Sequence, residues 1–294
     1  MSTALVPRPS APVADGPTPQ ADSDAHLIRL WLARSASPNT RRTYARQAAR
    51  FRAQVGKPLG SVRVGDLQDY LAGLPGSSAT VALAASVLKS LLTFAHELGY
   101  LPFNVGAVLK APPVKTTLAE RILDEAAVHR MLALEPAPRN RALLTLLYGG
   151  GLRISEIAGL RGRDLAPRDE AGQVTVYGKG GKTRVVLLST GTWRLLADLR
   201  GAAGPDDPVF RSRKGGGPLD ASAVHRVVKA AAVRAGLSAE VSAHWLRHAH
   251  ASHALDRGAP VHLVQATLGH ASVATTGRYL HARPSDSSAR YLSV

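Results

Sequence analysis

The stretch HWLRHAHASHALDRGAPVHLVQATLGHASVATTGRYL (residues 244–280) carries the strongest local pattern in the chain. Its apolar residues recur at the spacing of amphipathic helices rather than in alternation. Three consecutive helices are predicted, over residues 246–257, 261–269 and 273–280. This end of the chain is therefore expected to be mainly helical.

Reactive side chains are concentrated in the same stretch. His244 and Arg247 lie three positions apart, which places them on one face of a helix. His270 lies at a helix end, and Tyr279 lies in the last helix. A guanidinium, two imidazoles and a phenol are thus expected close together.

Two upstream segments add cationic groups. GGGLRISEIAGL (residues 149–160) places Arg153 after a glycine run at the start of a helix. YGKGGKTR (residues 177–184) places Lys179 on a Gly-rich turn between the β-branched runs QVTVYG and TRVVLLS. Two such runs joined by a short Gly-rich turn predict a β-hairpin.

The chemistry of this set is that of phosphate rather than of metals. No cluster of Asp and Glu accompanies it, which disfavours a two-metal phosphoryl site. Arginine forks match the non-bridging oxygens of a phosphate and would stabilise a pentacovalent phosphorane. A phenol, with an ordinary pKa of about 10, needs a base or a cationic field before it attacks. The set predicts reversible transesterification on a nucleic-acid backbone, with no cofactor.

Taken singly, each residue also has a structural interpretation. Arg153 would be a surface residue and Arg247 an ion-pair partner. His270 would be a helix cap and Tyr279 a core aromatic, while the hairpin lysines would be solvated loop charges. Their joint occurrence in this order is what favours chemistry.

The five segments, in this order, resemble the tyrosine recombinase family, which includes phage integrases and Xer-type recombinases. The motifs H-x-x-R-H and L-G-H followed by Tyr279 carry the resemblance, which covers nearly all of the chain after its N-terminal tail. The resemblance implies a mainly α fold with a small β-hairpin or sheet. A helical, SAM-like core-binding domain and an α+β catalytic domain would clamp DNA between them.

The resemblance also implies a role for each matched residue. The catalytic candidates are Arg153, Lys179, His244, Arg247, His270 and Tyr279. The two arginines would grip the scissile phosphate, and Lys179 would protonate the departing 5′-oxygen. His244 would transfer a proton, and His270 would hydrogen-bond the phosphate. Tyr279 would form a 3′-phosphotyrosyl bond, with Glu156 supporting the site.

Two positions depart from the family's pattern. Trp245 stands where an acidic residue often follows the first motif histidine, and Ala249 stands where a threonine is common. Neither is one of the matched groups. Both bear on the hydrogen bonds behind the site, and hence on the details of proton transfer.

The run HWLRHAHASH invites a metal interpretation, because His244 and His248 have the i, i+4 spacing of a zinc pair. The run lacks the glutamate of a zincin, and the chain has no cysteine. We therefore expect no metal, and we expect His248 and His253 to be packing or hydrogen-bonding groups.

The rest of the chain predicts two domains. Residues 1–21 are expected to be a disordered, Pro-rich tail, residues 22–109 a helical core DNA-binding domain, residues 110–122 a linker, and residues 123–294 the catalytic domain with its C-terminal tail. In that tail, Tyr291 and Leu292 would pack against a neighbouring surface. Docking into another protomer, packing on the same domain and disorder all remain open.

Candidate DNA contacts lie on the second helix and the hairpin. They are Arg41, Arg42, Tyr44, Arg46, Arg50, Lys182 and Arg184. In this family the helix would lie along the major groove with its arginines mainly on phosphates. A charged helix face that is merely solvated would show the same residues.

Composition sets the broad limits. The 294 residues carry a formal net charge of +16 with a pI of about 10.8, which favours a polyanionic partner. The absence of cysteine excludes disulfides and thiol catalysis. No apolar run reaches a membrane span and no signal peptide is evident, so a cytoplasmic, nucleoid-associated protein is expected.

The predicted activity is site-specific recombination of double-stranded DNA, with a dimer on each site and a tetramer in the synapse, alone or with a paralogous recombinase. Two alternatives remain open: a non-catalytic DNA-binding regulator on the same scaffold, and a type IB topoisomerase-like relaxing enzyme. The target site, the accessory factors and the choice between chromosome-dimer resolution, mobile-element integration and transposition are not predicted by these residues.

Overall fold

The computed structural model describes residues 20–114, 117–178 and 181–282, except for the side chains of residues 281 and 282. Several predictions concern residues outside the described ranges. These residues are Lys179, Tyr291, Leu292 and nearly all of the N-terminal tail, residues 1–21. The chain divides into two compact units, Met1–Lys115 and Thr116–Val294. The division lies within the segment predicted as a linker, and each unit is described by itself.

The first unit is a small helical domain. Its helices are α1 (Asp24–Ala33), α2 (Pro38–Val55), α3 (Val64–Ala72) and α4 (Ser78–Glu97), with a 3-10 turn at Leu59–Ser61. Ser37 caps α2 by accepting from the backbone N–H of Thr40, and Pro38 occupies the first helical position, as predicted.

Helix α4 is the core helix of this unit. Leu88, Leu91 and Leu92 are fully buried along it, and Trp31 packs from α1. By length and composition alone, Ser78–Glu97 could cross a membrane. Its place in the core explains that apolar character, because a helix covered on most sides is apolar on most sides.

Among its described residues, the second unit combines eight α-helices and two 3-10 turns, at Ala119–Arg121 and Gly162–Asp164, with one sheet. The helices are α5 (Glu125–Ala133), α6 (Pro138–Gly149), α7 (Ile154–Ala158), α8 (Thr190–Arg200), α9 (Ala221–Arg234), α10 (Ala243–Asp256), α11 (Val261–Leu268) and α12 (Val273–Ala282). The strands are β1 (Leu165–Arg168), β2 (Ala171–Tyr177) and β3 (Thr183–Leu188). The expectation of a mainly α fold with a small sheet is confirmed.

The sheet is antiparallel in the order β1-β2-β3. The hairpin of β2 and β3 was predicted, whereas β1 was not. Periodicity does not reveal this strand, because it contains Pro167 and is followed by an acidic turn. Proline removes a ladder hydrogen bond and is tolerated only at sheet edges. Arg168 pairs with Ala171, so the edge strand turns directly into β2.

The last three helices pack together and position the candidate site. Helix α10 begins at Ala243, earlier than predicted, because the extended residue Ser242 precedes it. A small cluster joins α10, α11 and α12 through Ala251, Leu268 and Tyr279, all of them buried. This cluster sets the side chain of Tyr279 facing α10.

Candidate active site

Arg153 is placed by the start of α7. Its backbone N–H donates to Glu156 Oε2 at 2.8 Å, and its Nη1 donates to Glu156 Oε1 at 2.9 Å. Its Nη2 reaches the carbonyl oxygen of Gly269 at 3.3 Å. The Glu156 side chain thus caps the start of α7 by accepting from the Arg153 N–H, and the guanidinium links Arg153 to the residue before His270.

Glu156 is a buried carboxylate held by two arginines. Arg184 donates to it from Nη1 at 2.8 Å and from Nη2 at 2.9 Å, while its Nε donates to the carbonyl of Thr267 at 2.7 Å. Burial by itself would raise the pKa of Glu156, but hydrogen bonds from Arg184 and Arg153 outweigh it and lower the pKa to about 2. The carboxylate therefore stays ionised and fixes both guanidiniums.

The second catalytic candidate, Arg247, is buried on α10. Its Nη1 donates to the carbonyl of Gly151 and its Nη2 to the carbonyl of Leu268. Burial, followed by the nearby charge of Arg153, lowers its pKa to about 9, which leaves it cationic at neutral pH. Arg153 is near enough to lower the pKa of Arg247, and two neighbouring guanidiniums favour a bound anion.

Two glycines allow these contacts. Gly151 has φ +60°, and a Cβ there would lie 2.7 Å from Leu268 and 2.9 Å from the ring of His250. Gly269 has φ +63° and lies against the Arg184 side chain, 3.2 Å from the position of a Cβ. A positive φ with a neighbour this close favours glycine on both counts.

Tyr279 is 6% exposed and lies on α12 between two histidines. Its Oη is 2.8 Å from His248 Nδ1. Its ring is parallel to that of His270, at an interplanar angle of 7° with centroids 6.4 Å apart. Burial raises its pKa above the ordinary value, although Arg247 and Arg278 act in the opposite direction.

His270 follows α11 and is oriented by a buried threonine. Its Nδ1 is 2.9 Å from Thr276 Oγ1, and Thr276 is fully buried. Burial, then the charges of Arg247 and Arg153, lowers the pKa of His270 to about 4. Its Nε2 makes no hydrogen bond with the described residues.

His244 lies in the first turn of α10, three residues before Arg247. His244 is exposed as a residue, and its ring makes no hydrogen bond with the described part of the chain. Partial desolvation, then Arg247 and Arg153, lowers its pKa. A neutral imidazole beside two arginines, on an exposed residue, is available to a substrate.

The hairpin carries the remaining candidates of this unit. The segment that joins β2 to β3 contains Lys179, which lies outside the described residues, and Lys182, which is exposed. Arg184 was predicted to contact DNA, but its three nitrogens donate inward to Glu156 and Thr267. Its side chain is only 12% exposed, so it is placed to support Arg153 rather than to meet solvent.

The candidate DNA contacts of the first unit also differ in how exposed they are. Arg41, Arg42 and Arg46 are exposed on α2, and Arg50 is half-buried. Tyr44 stacks on Trp31 with ring centroids 5.0 Å apart and an interplanar angle of 17°. Its ring therefore belongs to the core packing, with only part of its surface left for a ligand.

Sequence reasoning missed three contacts: His248 with Tyr279, Thr276 with His270, and Arg184 with Glu156. The histidine pair on α10, His244 and His248, has the spacing of a zinc pair, and its ring centroids lie 6.0 Å apart. Among residues 20–114, 117–178 and 181–282, no three His, Asp or Glu side chains are grouped as metal ligands would be. The contact between His248 and Tyr279 depends on how α10 packs against α12. The spacing of residues along the chain does not show that packing.

Comparison with known proteins identifies the family of the chain. Residues 120–286 match the phage integrase family, and residues 24–98 match the N-terminal SAM-like domain of phage integrases. Tyrosine recombinase XerC of Brucella suis is 34% identical over 276 residues, which cover 86% of this chain and 87% of the relative. Tyrosine recombinase XerD of Shewanella oneidensis is 34% identical over 282 residues, covering 88% and 91%.

A solved structure extends the likeness to the fold. The lambda integrase dimer bound to a COC′ core site aligns with a TM-score of 0.73 at 19% identity, covering 90% of this chain and 79% of that one. The family match spans more than half of the chain, and the curated relatives span nearly all of it. The chain therefore belongs to the phage integrase family and is a site-specific recombinase of the Xer-like tyrosine type.

Proposed function

We propose that Tyr279 cuts and rejoins one strand of duplex DNA by forming a 3′-phosphotyrosyl bond, with Arg153 and Arg247 gripping the phosphate. One observation carries the proposal: four of the proposed catalytic side chains meet at one short segment, residues 267–270. Arg247 binds its Leu268 carbonyl, Arg153 binds its Gly269 carbonyl, and His270 faces the Tyr279 ring. Residues more than a hundred positions apart thus converge on one point.

The two arginines supply transition-state stabilisation. The phosphorane formed by attack carries more charge on its non-bridging oxygens than the phosphodiester does. Guanidiniums already held by Glu156 and by backbone carbonyls need no reorganisation to meet that charge. Removing one such donor typically costs about 100-fold or more in rate.

The remaining groups manage protons and contacts to the phosphate. His244 is exposed and neutral, and we assign it to proton transfer with the substrate. His270 presents its Nε2 toward the site because Thr276 engages its Nδ1, and we assign it to a phosphate oxygen. Lys179 is the proposed acid for the departing 5′-oxygen, in the segment that joins β2 to β3.

The proposed DNA contacts of the first unit are Arg41, Arg42, Arg46 and Arg50. Arg42, Arg46 and Arg50 follow one another at four-residue spacing, which aligns them on one face of α2. Such a row suits a line of phosphates. Lys182 on the hairpin is the matching candidate of the second unit, and Arg184 is proposed as a positioning residue.

The proposed working form is a dimer on each site and a tetramer in the synapse, acting on DNA in the cytoplasm. The likeness to a lambda integrase dimer bound to a core site supports the dimer, and the likeness to a lambda integrase tetramer bound to a Holliday junction supports the tetramer. The domain boundaries proposed for it are residues 22–109 and 123–294, joined by residues 110–122.

A covalent-trapping assay tests the nucleophile. The Tyr279→Phe variant first selects a binding duplex from a pool of random genomic fragments. Wild type and variant are then incubated with nicked versions of that duplex, without divalent metal. Wild type is expected to form an SDS-resistant complex and the variant none. Equal behaviour of the two proteins would show that Tyr279 is not the nucleophile.

Two further measurements separate the alternatives. A non-catalytic regulator would bind the selected duplex and leave it intact in every nicked form. A relaxing topoisomerase would relax a supercoiled plasmid that lacks the selected site as fast as one that carries it. The proposed recombinase cleaves the selected duplex preferentially and joins its ends to a second copy.

A further inference from the structure

The contact between His248 and Tyr279 has no role in the scheme above. Tyr279 Oη lies 2.8 Å from His248 Nδ1, and this is the one hydrogen bond of the phenol within the described residues. The ring centroids are 5.7 Å apart with an angle of 46°, so the imidazole approaches the hydroxyl and does not stack on the ring. His248 directly follows Arg247, so the same helical turn holds the phosphate clamp and this imidazole.

Neither of the other two histidines can replace it in this arrangement. The His270 ring lies parallel to the Tyr279 ring at 6.4 Å between centroids, and its Nδ1 contacts Thr276. His244 makes no hydrogen bond to the phenol. Among the described residues, His248 alone has an atom placed to receive the proton of Tyr279.

The surroundings keep the His248 ring neutral. Burial, followed by His244 and nearby arginines, lowers its pKa to about 4, so the ring is neutral at neutral pH. In the tautomer with the proton on Nε2, Nδ1 accepts from the phenol. The groups that face it from its own helix and from the elements packed against it are His244, Arg247, Arg121, Arg278 and Tyr279. Four of these five groups disfavour a proton on the ring when no anion is present.

We propose that His248 Nδ1 takes the proton of Tyr279 during strand cleavage and returns it during rejoining. The proposal rests on Tyr279 being the nucleophile. The bond between Tyr279 Oη and phosphorus forms, the bond between phosphorus and the 5′-oxygen breaks, and the phenol proton passes to Nδ1. The 5′-oxygen leaves with a proton from the proposed acid, Lys179. In rejoining, the 5′-hydroxyl attacks phosphorus and gives its proton back to Lys179. The bond between Tyr279 Oη and phosphorus breaks, and the proton on Nδ1 returns to the phenolate.

The cations around His248 make this transfer depend on DNA. In the free enzyme, an imidazolium would lie beside Arg247 and would be disfavoured by the like charge. A bound phosphate offsets the charges of Arg153 and Arg247, which removes that penalty. The phenol is then activated only where a phosphate is already held, and this limits reaction of Tyr279 with other electrophiles.

The test compares His248→Asn with wild type on the selected, nicked duplex. Asparagine can accept the phenol hydrogen bond with Oδ1 but cannot take its proton. Cleavage by the variant at pH 7 is expected to fall about 100-fold, the lower end of the usual contribution of a general base. His262→Gln, which changes an exposed histidine on α11, is the matched control and should cleave like wild type.

The pH profile separates proton transfer from simple positioning. Wild-type cleavage should be nearly constant from pH 6 to 9, because the neutral imidazole is present throughout. Cleavage by His248→Asn should rise about tenfold per pH unit over that range, since only the ionised phenol then reacts and its ordinary pKa is about 10. The variant's deficit therefore shrinks as the pH rises.

A substrate with sulfur in place of the 5′-bridging oxygen separates base from acid. A thiolate leaves without a proton, so this substrate restores variants that lack the general acid. The His248→Asn deficit should persist on it. Restoration by sulfur would assign His248 to the leaving group and overturn the proposal.

Other results would also overturn it. Asparagine activity within threefold of wild type, or a deficit that stays constant with pH, would leave His248 a structural role only. If His248→Asn does not bind the duplex, the wild-type profile decides: a tenfold rise per pH unit from 6 to 9 would mean that no internal base serves Tyr279. A covalent complex formed by Tyr279→Phe would instead contradict the proposed nucleophile, independently of His248.

Discussion

Replacing Glu156 by glutamine should destabilise the second unit by an amount that depends strongly on pH. The carboxylate is 3% exposed and accepts four hydrogen bonds, two each from Arg153 and Arg184. Glutamine has nearly the same shape but carries no charge, and its amide hydrogens would face the guanidiniums. The variant therefore isolates the contribution of the ionised group.

The magnitude follows from the pKa. The pKa of Glu156 falls from the ordinary 4.5 to about 2 in the folded protein. Each unit is worth about 1.4 kcal/mol, so the carboxylate contributes about 3 kcal/mol to the free energy of unfolding at pH 7. Because the folded-state pKa is the lower one, the contribution is complete above pH 4.5 and is lost as the pH falls. It should drop below about 0.5 kcal/mol at pH 2.

Urea unfolding at several pH values measures this. Trp193 and Trp245 both pack against the core of the second unit, so their fluorescence reports its transition. A Trp31→Phe background removes the tryptophan of the first unit. Glu120→Gln, at an exposed position, is the matched control and should unfold like its parent at every pH.

Two results would refute the reasoning. If Glu156→Gln and its parent differ by the same free energy at pH 7 and pH 3, the charge is not what the arginines stabilise. If glutamine is as stable as glutamate at pH 7, the four hydrogen bonds do not hold the carboxylate ionised.

Three more predictions concern neighbouring features. Arg184→Lys should lower cleavage at least tenfold without weakening non-specific DNA binding in a filter assay, because lysine cannot grip Glu156 bidentately. Gly151→Ala should lower the free energy of unfolding by about 2 kcal/mol or more in urea, from overpacking against Leu268 at a positive φ. Arg46→Gln should reduce the slope of log affinity against log salt by about 1, measured by titration, if it contacts one phosphate.

Local sequence was sufficient for most of the helices. Ser37 and Pro38 mark the start of α2, and the apolar spacing of Leu88, Leu91 and Leu92 marks α4, because capping and helical period involve residues a few positions apart. The order of the motifs along the chain was likewise sufficient to indicate the family. Strand β1 was not predicted, because Pro167 contradicts the pattern by which strands are recognised.

The tertiary structure decided which of the charged groups belong together. Arg184 looked like a surface cation in a basic hairpin, yet it binds Glu156, 28 positions earlier. His248 looked like half of a metal pair, yet it meets Tyr279, 31 positions later. Contacts of this kind depend on the relative rotation and depth of separate helices and strands. That packing is set by the whole core, and no spacing along one element records it.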